Sequence, residues 1–207
     1  MSKENYKKLG IKVQSDEYKR AKINSASNYG LIGSILVILG FIPRIGSALA
    51  IIGFILILIS LYELSQIYNN NLIFDNALKA LIASIVGFII VAFVSVSTLF
   101  TALSHGFTAA LILAMVAFII FYLIILVYGY FIRQAYAQLS TVTGIQRFES
   151  VGKFYWLGAV LLIVFVGVVL ILIADIYAIL AFHELNMKTS ISMQPAQQGS
   201  ISQPSQP

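Results

Sequence analysis

Long apolar runs alternate with short polar segments along this chain. The runs lie near residues 29–42, 46–67, 80–103, 107–132 and 154–182. No charged residue occurs in the 53 positions between Lys79 and Arg133. One helix needs about 20 apolar residues to cross a hydrocarbon core of about 30 Å, so this stretch has room for two crossings and a turn. The pattern predicts an all-α, polytopic transmembrane helix bundle of about five spans.

The polar ends of the chain delimit three segments. Residues 1–28 are polar and basic, and Ser15 could cap a short amphipathic helix lying on the membrane surface. Residues 29–185 form the predicted transmembrane bundle. Residues 186–207 are rich in Ser, Gln and Pro. They have too little apolar surface to offset the loss of conformational entropy on folding, so this tail is predicted to be disordered.

The first apolar run is short and ends at Pro43. A signal peptide is one alternative, because Ala48-Leu49-Ala50 resembles a cleavage site, but the apolar sequence continues past that site. We favour a tight hairpin of two helices that turns at Pro43-Arg44. A re-entrant hairpin over residues 29–62 stays open as a third arrangement.

The distribution of Lys and Arg predicts the orientation in the cell membrane. With five spans and a cytoplasmic N-terminus, eleven basic residues lie inside and two, Arg44 and Lys188, lie outside. The positive-inside rule favours this multi-pass arrangement, which places the C-terminus outside. Tyrosines near the predicted inner interface, Tyr128 and Tyr155 among them, agree with it because amphipathic rings collect there.

Composition narrows the class of protein further. Hydrophobic residues make up 59% of the chain and charged residues 10%, which excludes an ordinary soluble domain. The chain has no cysteine, so disulfides and thiolate sites are excluded. Its net charge of +5 is concentrated before the first apolar run. Such a segment is expected to meet anionic lipid headgroups rather than nucleic acid.

Glycines are the most regular feature of the first two spans. Gly33 and Gly40 are seven residues apart, as are Gly46 and Gly53. This spacing keeps small residues on one helix face and lets two backbones approach closely. Packing within a helical hairpin is the favoured interpretation, and a seam with a homo-oligomer or another membrane protein is the alternative.

Asp175 is the one carboxylate well inside an apolar run. A single span over 154–182 would place it a few ångströms below the outer interface, at a modest cost of insertion. It is the candidate intramembrane polar site, either as a proton or cation site or as a snorkelling, hydrogen-bonded acid near a helix end.

Other polar residues carry weaker signals. Ser97, Thr101 and Ser104 form a hydroxyl stripe, which could line a path but by default bonds to carbonyls one turn back. His105 and His183 are isolated and do not form a metal site. Asp75 is spaced to pair with Lys79 or to cap the third helix. No catalytic, cofactor-binding or metal-binding constellation is evident, so no cofactor is expected.

Three stretches resemble a known family. They are Gly30-Leu-Ile-Gly-Ser-Ile-Leu-Val-Ile-Leu-Gly40 running to Gly46, Leu61-Tyr-Glu-Leu-Ser65 with Ile73-Phe74-Asp75-Asn76, and Val151-Gly152-Lys153 with Leu157-Gly158-Ala159 and Ala181-Phe182. Together they resemble the prokaryotic, largely archaeal, integral membrane family called domain of unknown function 996, over roughly residues 22–185. The resemblance implies a multi-spanning membrane protein and brings no activity or functional residue with it.

Three functional hypotheses follow. The preferred one is a non-enzymatic membrane scaffold or accessory subunit that acts by helix packing. The alternative is a small transporter or channel component with Asp175 in a polar path, although the spans show no convincing internal repeat. An intramembrane enzyme is disfavoured, because the apolar runs hold no acid–base or nucleophile pair.

Overall fold

The computed structural model describes residues 3–191, which form six α-helices and no strand. The helices are α1 (Lys3–Leu39), α2 (Gly46–Ile67), α3 (Asn71–His105), α4 (Phe107–Thr143), α5 (Gln146–Leu161) and α6 (Val166–Ile191), with a single 3₁₀ turn at Leu162–Val164. The predicted all-α bundle is confirmed. Helix α6 includes residues 186–191, and the rest of the predicted tail lies outside the described residues.

The helices pair as three antiparallel hairpins, α1–α2, α3–α4 and α5–α6. Their turns lie at residues 40–45, at Gly106 and at residues 162–165, and we call this end of the bundle the turn end. The opposite end, the base, holds the connections from α2 to α3 and from α4 to α5. Gly106 has φ of 86°, a conformation that glycine adopts without strain and that lets α3 reverse directly into α4.

The predicted fifth span is wrong as a single helix. The apolar run 154–182 is broken at residues 162–165, where Phe165 adopts a left-handed φ of 60°, and the chain reverses from α5 into α6. Length alone does not require this break, because α3 and α4 are continuous helices of 35 and 37 residues. Folding it into a hairpin allows its two halves to pack against each other.

This reversal also changes the relation between the two ends of the described chain. Helix α1 enters the bundle from the base and α6 ends there, with Asn186 donating a hydrogen bond of 2.5 Å to Asn28. Arg147 at the start of α5 forms an ion pair of 2.7 Å with Glu184 near the end of α6. The described chain therefore begins and ends at the same end of the bundle.

Each hairpin packs beside the next, and α6 returns to α1 to complete the arrangement. The α1–α6 contact is close, because Ser27 Oγ donates a hydrogen bond of 2.5 Å to the carbonyl of Phe182. The core is densest toward the base, where large side chains with at most 2% exposure include Leu61, Leu64, Tyr136, Leu139, Phe148 and Phe182.

Glycines hold α1 against α2, as the hairpin interpretation predicts. A Cβ on Gly33 would lie 2.7 Å from the carbonyl oxygen of Gly53, and a Cβ on Gly53 would lie 2.6 Å from that of Gly33. Gly40 and Gly46 face each other in the same way near the turn. Glycines allow the same close backbone approach in α5–α6, where a Cβ on Gly158 would lie 3.0 Å from the Gly167 carbonyl oxygen.

The α3–α4 hairpin is the longest of the three. Helix α3 has 35 residues and α4 has 37, against 22 in α2 and 16 in α5. Because the hairpins share a base, α3 and α4 project roughly 20 Å past the other two turns at 1.5 Å per residue. The projecting part is apolar and exposed, with Phe93, Leu103 and Phe107 each more than 70% accessible.

Two sequence-based expectations at the base need correction or refinement. Asn70, and not Asp75, caps α3, because its side chain accepts a hydrogen bond of 3.1 Å from the backbone N–H of Leu72. The predicted separate amphipathic helix is instead the beginning of α1, which is continuous from Lys3 to Leu39.

Four helices, α2, α3, α4 and α6, are long and apolar enough to cross a membrane.

Candidate functional site

A cavity of about 400 Å³ that is partly open to the outside lies among α1, α2, α4, α5 and α6. Most of its wall is aliphatic, from side chains such as Val37, Ile125 and Ile171. Four side chains add polar atoms to the wall: Tyr128 and Tyr136 of α4, Tyr155 of α5 and Asp175 of α6. Three different helices therefore bring their polar groups to one apolar chamber.

Asp175 lies in the interior of the bundle, with 1% of its surface exposed. The α5–α6 turn places it opposite Tyr155, whose hydroxyl donates a hydrogen bond to Asp175 Oδ1. The sequence placed Asp175 near the end of one span over residues 154–182, whereas in the structure it lies in the middle part of the separate helix α6. The ion pairs within the described part of the chain are Arg147–Glu184, Lys153–Glu149 and Lys188–Glu184, so Asp175 has no cationic partner there.

An aromatic stack closes the cavity toward the base. The ring of Tyr136 stacks on that of Tyr155 with a centroid distance of 6.3 Å and on that of Phe148 at 6.1 Å. Phe148 in turn meets Phe182 edge-on at 5.0 Å. Tyr136, Phe148 and Phe182 are each at most 2% exposed, so tightly packed aromatic rings lie between the cavity and the base.

The other end of the cavity is bordered by the turns of two hairpins. Gly40 and Phe41 come from the α1–α2 turn and Leu162 from the α5–α6 turn. Phe41 is 58% exposed, so this end is less tightly packed than the aromatic stack. Access to Asp175 is therefore easiest from the turn end, between the first and third hairpins.

The remaining predicted candidates lie away from this cavity. Ser97 donates a hydrogen bond of 2.9 Å to the Phe93 carbonyl and Ser104 one of 2.8 Å to the Phe100 carbonyl, so both bond within α3 as expected by default. His183 is exposed and His105 ends α3. Among the described residues, no group of three His, Cys, Asp or Glu side chains is placed to hold a metal ion.

Sequence reasoning missed the tyrosines as site residues. Tyr128 and Tyr155 were expected at a membrane interface. In the structure they line the cavity together with Tyr136. One signal was available for α4, because Tyr128 and Tyr136 are eight residues apart and share a helix face. No such signal connects Tyr155 to Asp175, since they meet only through the unpredicted turn.

Comparison with known proteins identifies the family of this chain. The profile of a family described as "Protein of unknown function (DUF996)" matches residues 49–176, which is more than half of the chain. The chain belongs to this family. A relative from Methanocaldococcus jannaschii, described as an uncharacterized protein, is 34% identical over 170 residues, covering 80% of this chain and 94% of the relative. The matched segment of the family includes Tyr128, Tyr136, Tyr155 and Asp175. No solved structure matches this member of the family.

Proposed function

We propose that this protein is a non-enzymatic integral membrane protein that binds a small, mainly apolar ligand inside its helix bundle. The observation that carries the proposal is the cavity of about 400 Å³ with the buried Asp175 in its wall. Small-molecule sites are typically concave, mostly apolar and provided with a few convergent polar groups. This chamber has each of those properties.

The position of Asp175 supports binding over packing alone. A carboxyl group held at 1% exposure costs stability unless it is well paired, and it has one hydrogen-bond donor in the described part of the chain. An apolar side chain at this position would pack without that cost. An ionisable residue buried inside a membrane protein is a functional-site hypothesis by default.

The scaffold and transport hypotheses relate differently to this cavity. A scaffold or accessory subunit could use the cavity if ligand occupancy stabilised one packing of the bundle. Transport would require the aromatic stack of Tyr136, Phe148 and Phe182 to separate so that the cavity reaches the base. We therefore place ligand binding first and transport second.

Native mass spectrometry of the protein purified in mild detergent tests the proposal. We expect a small molecule to remain bound to the wild type, to be lost from Ile125→Trp, which fills the cavity, and to remain bound to Ile119→Trp. Ile125 lines the cavity, whereas Ile119 is 58% exposed on the outer surface of the same helix and serves as the matched control.

Two results would count against binding in this cavity. One is a wild-type protein that carries no small molecule across several mild detergents. The other is a molecule retained equally by both tryptophan variants, which would locate it on the outer surface of the bundle.

A further inference from the structure

The charge and the aromatic groups of the cavity define the chemistry of its ligand. Asp175 is the one charged side chain in its wall, and its hydrogen bond from Tyr155 occupies one of its two carboxylate oxygens. An ionised carboxylate that is buried with a single donor keeps much of its desolvation cost. A cation held in the cavity would offset that cost directly.

Tyrosine rings add a second feature that favours a cation. Tyr128, Tyr136 and Tyr155 all line the cavity, and because Tyr136 is stacked on both Tyr155 and Phe148, a cation would meet mainly the rings of Tyr128 and Tyr155. Aromatic faces attract cations through the ring quadrupole and do so most strongly when the cation is desolvated. Groups of aromatic rings are typical of sites for quaternary ammonium ligands.

The rest of the wall excludes a bare metal ion as the preferred occupant. Calcium takes six to eight oxygen ligands, whereas the polar atoms here are those of one carboxylate and three phenol groups. The remaining lining, including Val37, Phe54 and Ile171, is hydrocarbon. Such a surface suits the apolar substituents of an organic cation and provides nothing to a hydrated ion.

We propose that the cavity binds a lipophilic organic cation, with its ammonium group beside Asp175 and the tyrosine rings and with its apolar part along the aliphatic wall. This inference rests on the proposed function and adds the class of ligand to it. The cation enters from the turn end, past Phe41 and Leu162, because the aromatic stack closes the base. Its apolar part allows it to reach that entrance through the bilayer.

A pair of probes that differ only in charge tests the inference. Benzyltrimethylammonium carries a permanent positive charge, and neopentylbenzene has the same shape with carbon in place of nitrogen. The thermal unfolding midpoint of the purified full-length protein is measured in neutral detergent as each probe is added. A ligand that binds the folded state raises this midpoint in a concentration-dependent way.

We expect the cation to raise the midpoint of the wild type and the neutral probe to raise it much less. Asp175→Asn keeps the shape of the side chain, removes its charge, and should weaken binding of the cation by about tenfold or more. Asp75→Asn is the matched control, because it makes the same chemical change at an exposed position of α3 and should leave binding unchanged.

The other outcomes separate the two proposals. Equal effects of both probes on the wild type would overturn the preference for a cation and leave an apolar binding cavity in place. An effect of neither probe, together with no bound molecule in native mass spectrometry, would overturn both. The comparison of probes on the wild type alone decides the inference if Asp175→Asn does not fold.

Discussion

Asp175 and Tyr155 are 20 residues apart in the sequence and hydrogen-bonded across the α5–α6 hairpin. The Tyr155 hydroxyl holds the Asp175 carboxyl group in the cavity wall. The ring of Tyr136, stacked on that of Tyr155, holds Tyr155 in place. This arrangement makes Tyr155 a positioning residue for Asp175. Its hydroxyl and its ring therefore have separate consequences for stability that substitution can distinguish.

Removal of that hydroxyl should destabilise the protein. We expect Tyr155→Phe to lower the free energy of unfolding by about 1–3 kcal/mol, because it leaves a buried carboxyl group without its donor. Tyr130→Phe is the control, since Tyr130 is 47% exposed. Reversible unfolding in mixed detergent micelles measures both. Equal stabilities of the two variants would show that the hydrogen bond contributes nothing to the fold.

Strain at Phe165 gives a second prediction at the scale of one residue. Its φ of 60° is left-handed, which costs conformational energy for a residue with a side chain. The side chain is 83% exposed, so its packing contacts offset little of that energy. Phe165→Gly should therefore stabilise the protein by about 1 kcal/mol, as measured by the unfolding midpoint.

The adjacent residue provides the control for this strain. Val164 lies in the 3₁₀ turn without a left-handed φ, so Val164→Gly should be neutral or destabilising. A loss of stability in Phe165→Gly equal to that in Val164→Gly would contradict a strained turn.

Helix pairs, rather than single helices, are the structural elements of this bundle. In α1–α2 the carbonyl oxygens of Gly33 and Gly53 occupy the space that each other's Cβ would need. In α5–α6, Gly158 and Gly167 permit the same close approach. Small residues let backbones gain van der Waals contact where lipid offers no hydrophobic driving force between helices.

Filling the α1–α2 seam should separate its helices. Gly33→Ala should destabilise the protein by about 1–3 kcal/mol, because the new Cβ would lie 2.7 Å from a backbone oxygen that cannot move independently. Gly87→Ala is the control, since a Cβ there meets first the side chain of Ile124, which can adjust. Unfolding midpoints compare the two, and a Gly33→Ala protein as stable as Gly87→Ala would argue against a rigid seam.

At the scale of the whole molecule, the hairpins place the two ends of the described chain at the base. With α1 entering and α6 ending there, twelve of the 13 basic residues lie toward the base and Arg44 lies in the α1–α2 turn. This division of the basic residues, twelve against one, is more unequal than the division of eleven against two in the five-span arrangement. The positive-inside rule therefore favours a cytoplasmic base.

Single-cysteine labelling tests this topology without a background, because the chain has no cysteine of its own. We expect Ser15→Cys and Met187→Cys to react with an impermeant reagent from the cytoplasmic side, and Thr108→Cys at the α3–α4 turn from the opposite side. The five-span arrangement predicts instead that positions 15 and 187 react from opposite sides. That result would require α5 and α6 to form one continuous span in the membrane.

The sequence alone determined the all-α class, the extents of the apolar runs and the glycine seam of α1–α2. Each depends on local information: charge-free length, and small residues repeated at helical spacing. It did not determine the break at residues 162–165, because that turn contains no proline and no polar side chain, and lipid tolerates the same residues in a helix or in an apolar turn. The tertiary structure decided that reversal through packing of α5 on α6. The cavity, the pairing of Tyr155 with Asp175 and the shared end for α1 and α6 all depend on it, since each is a contact between residues distant in sequence.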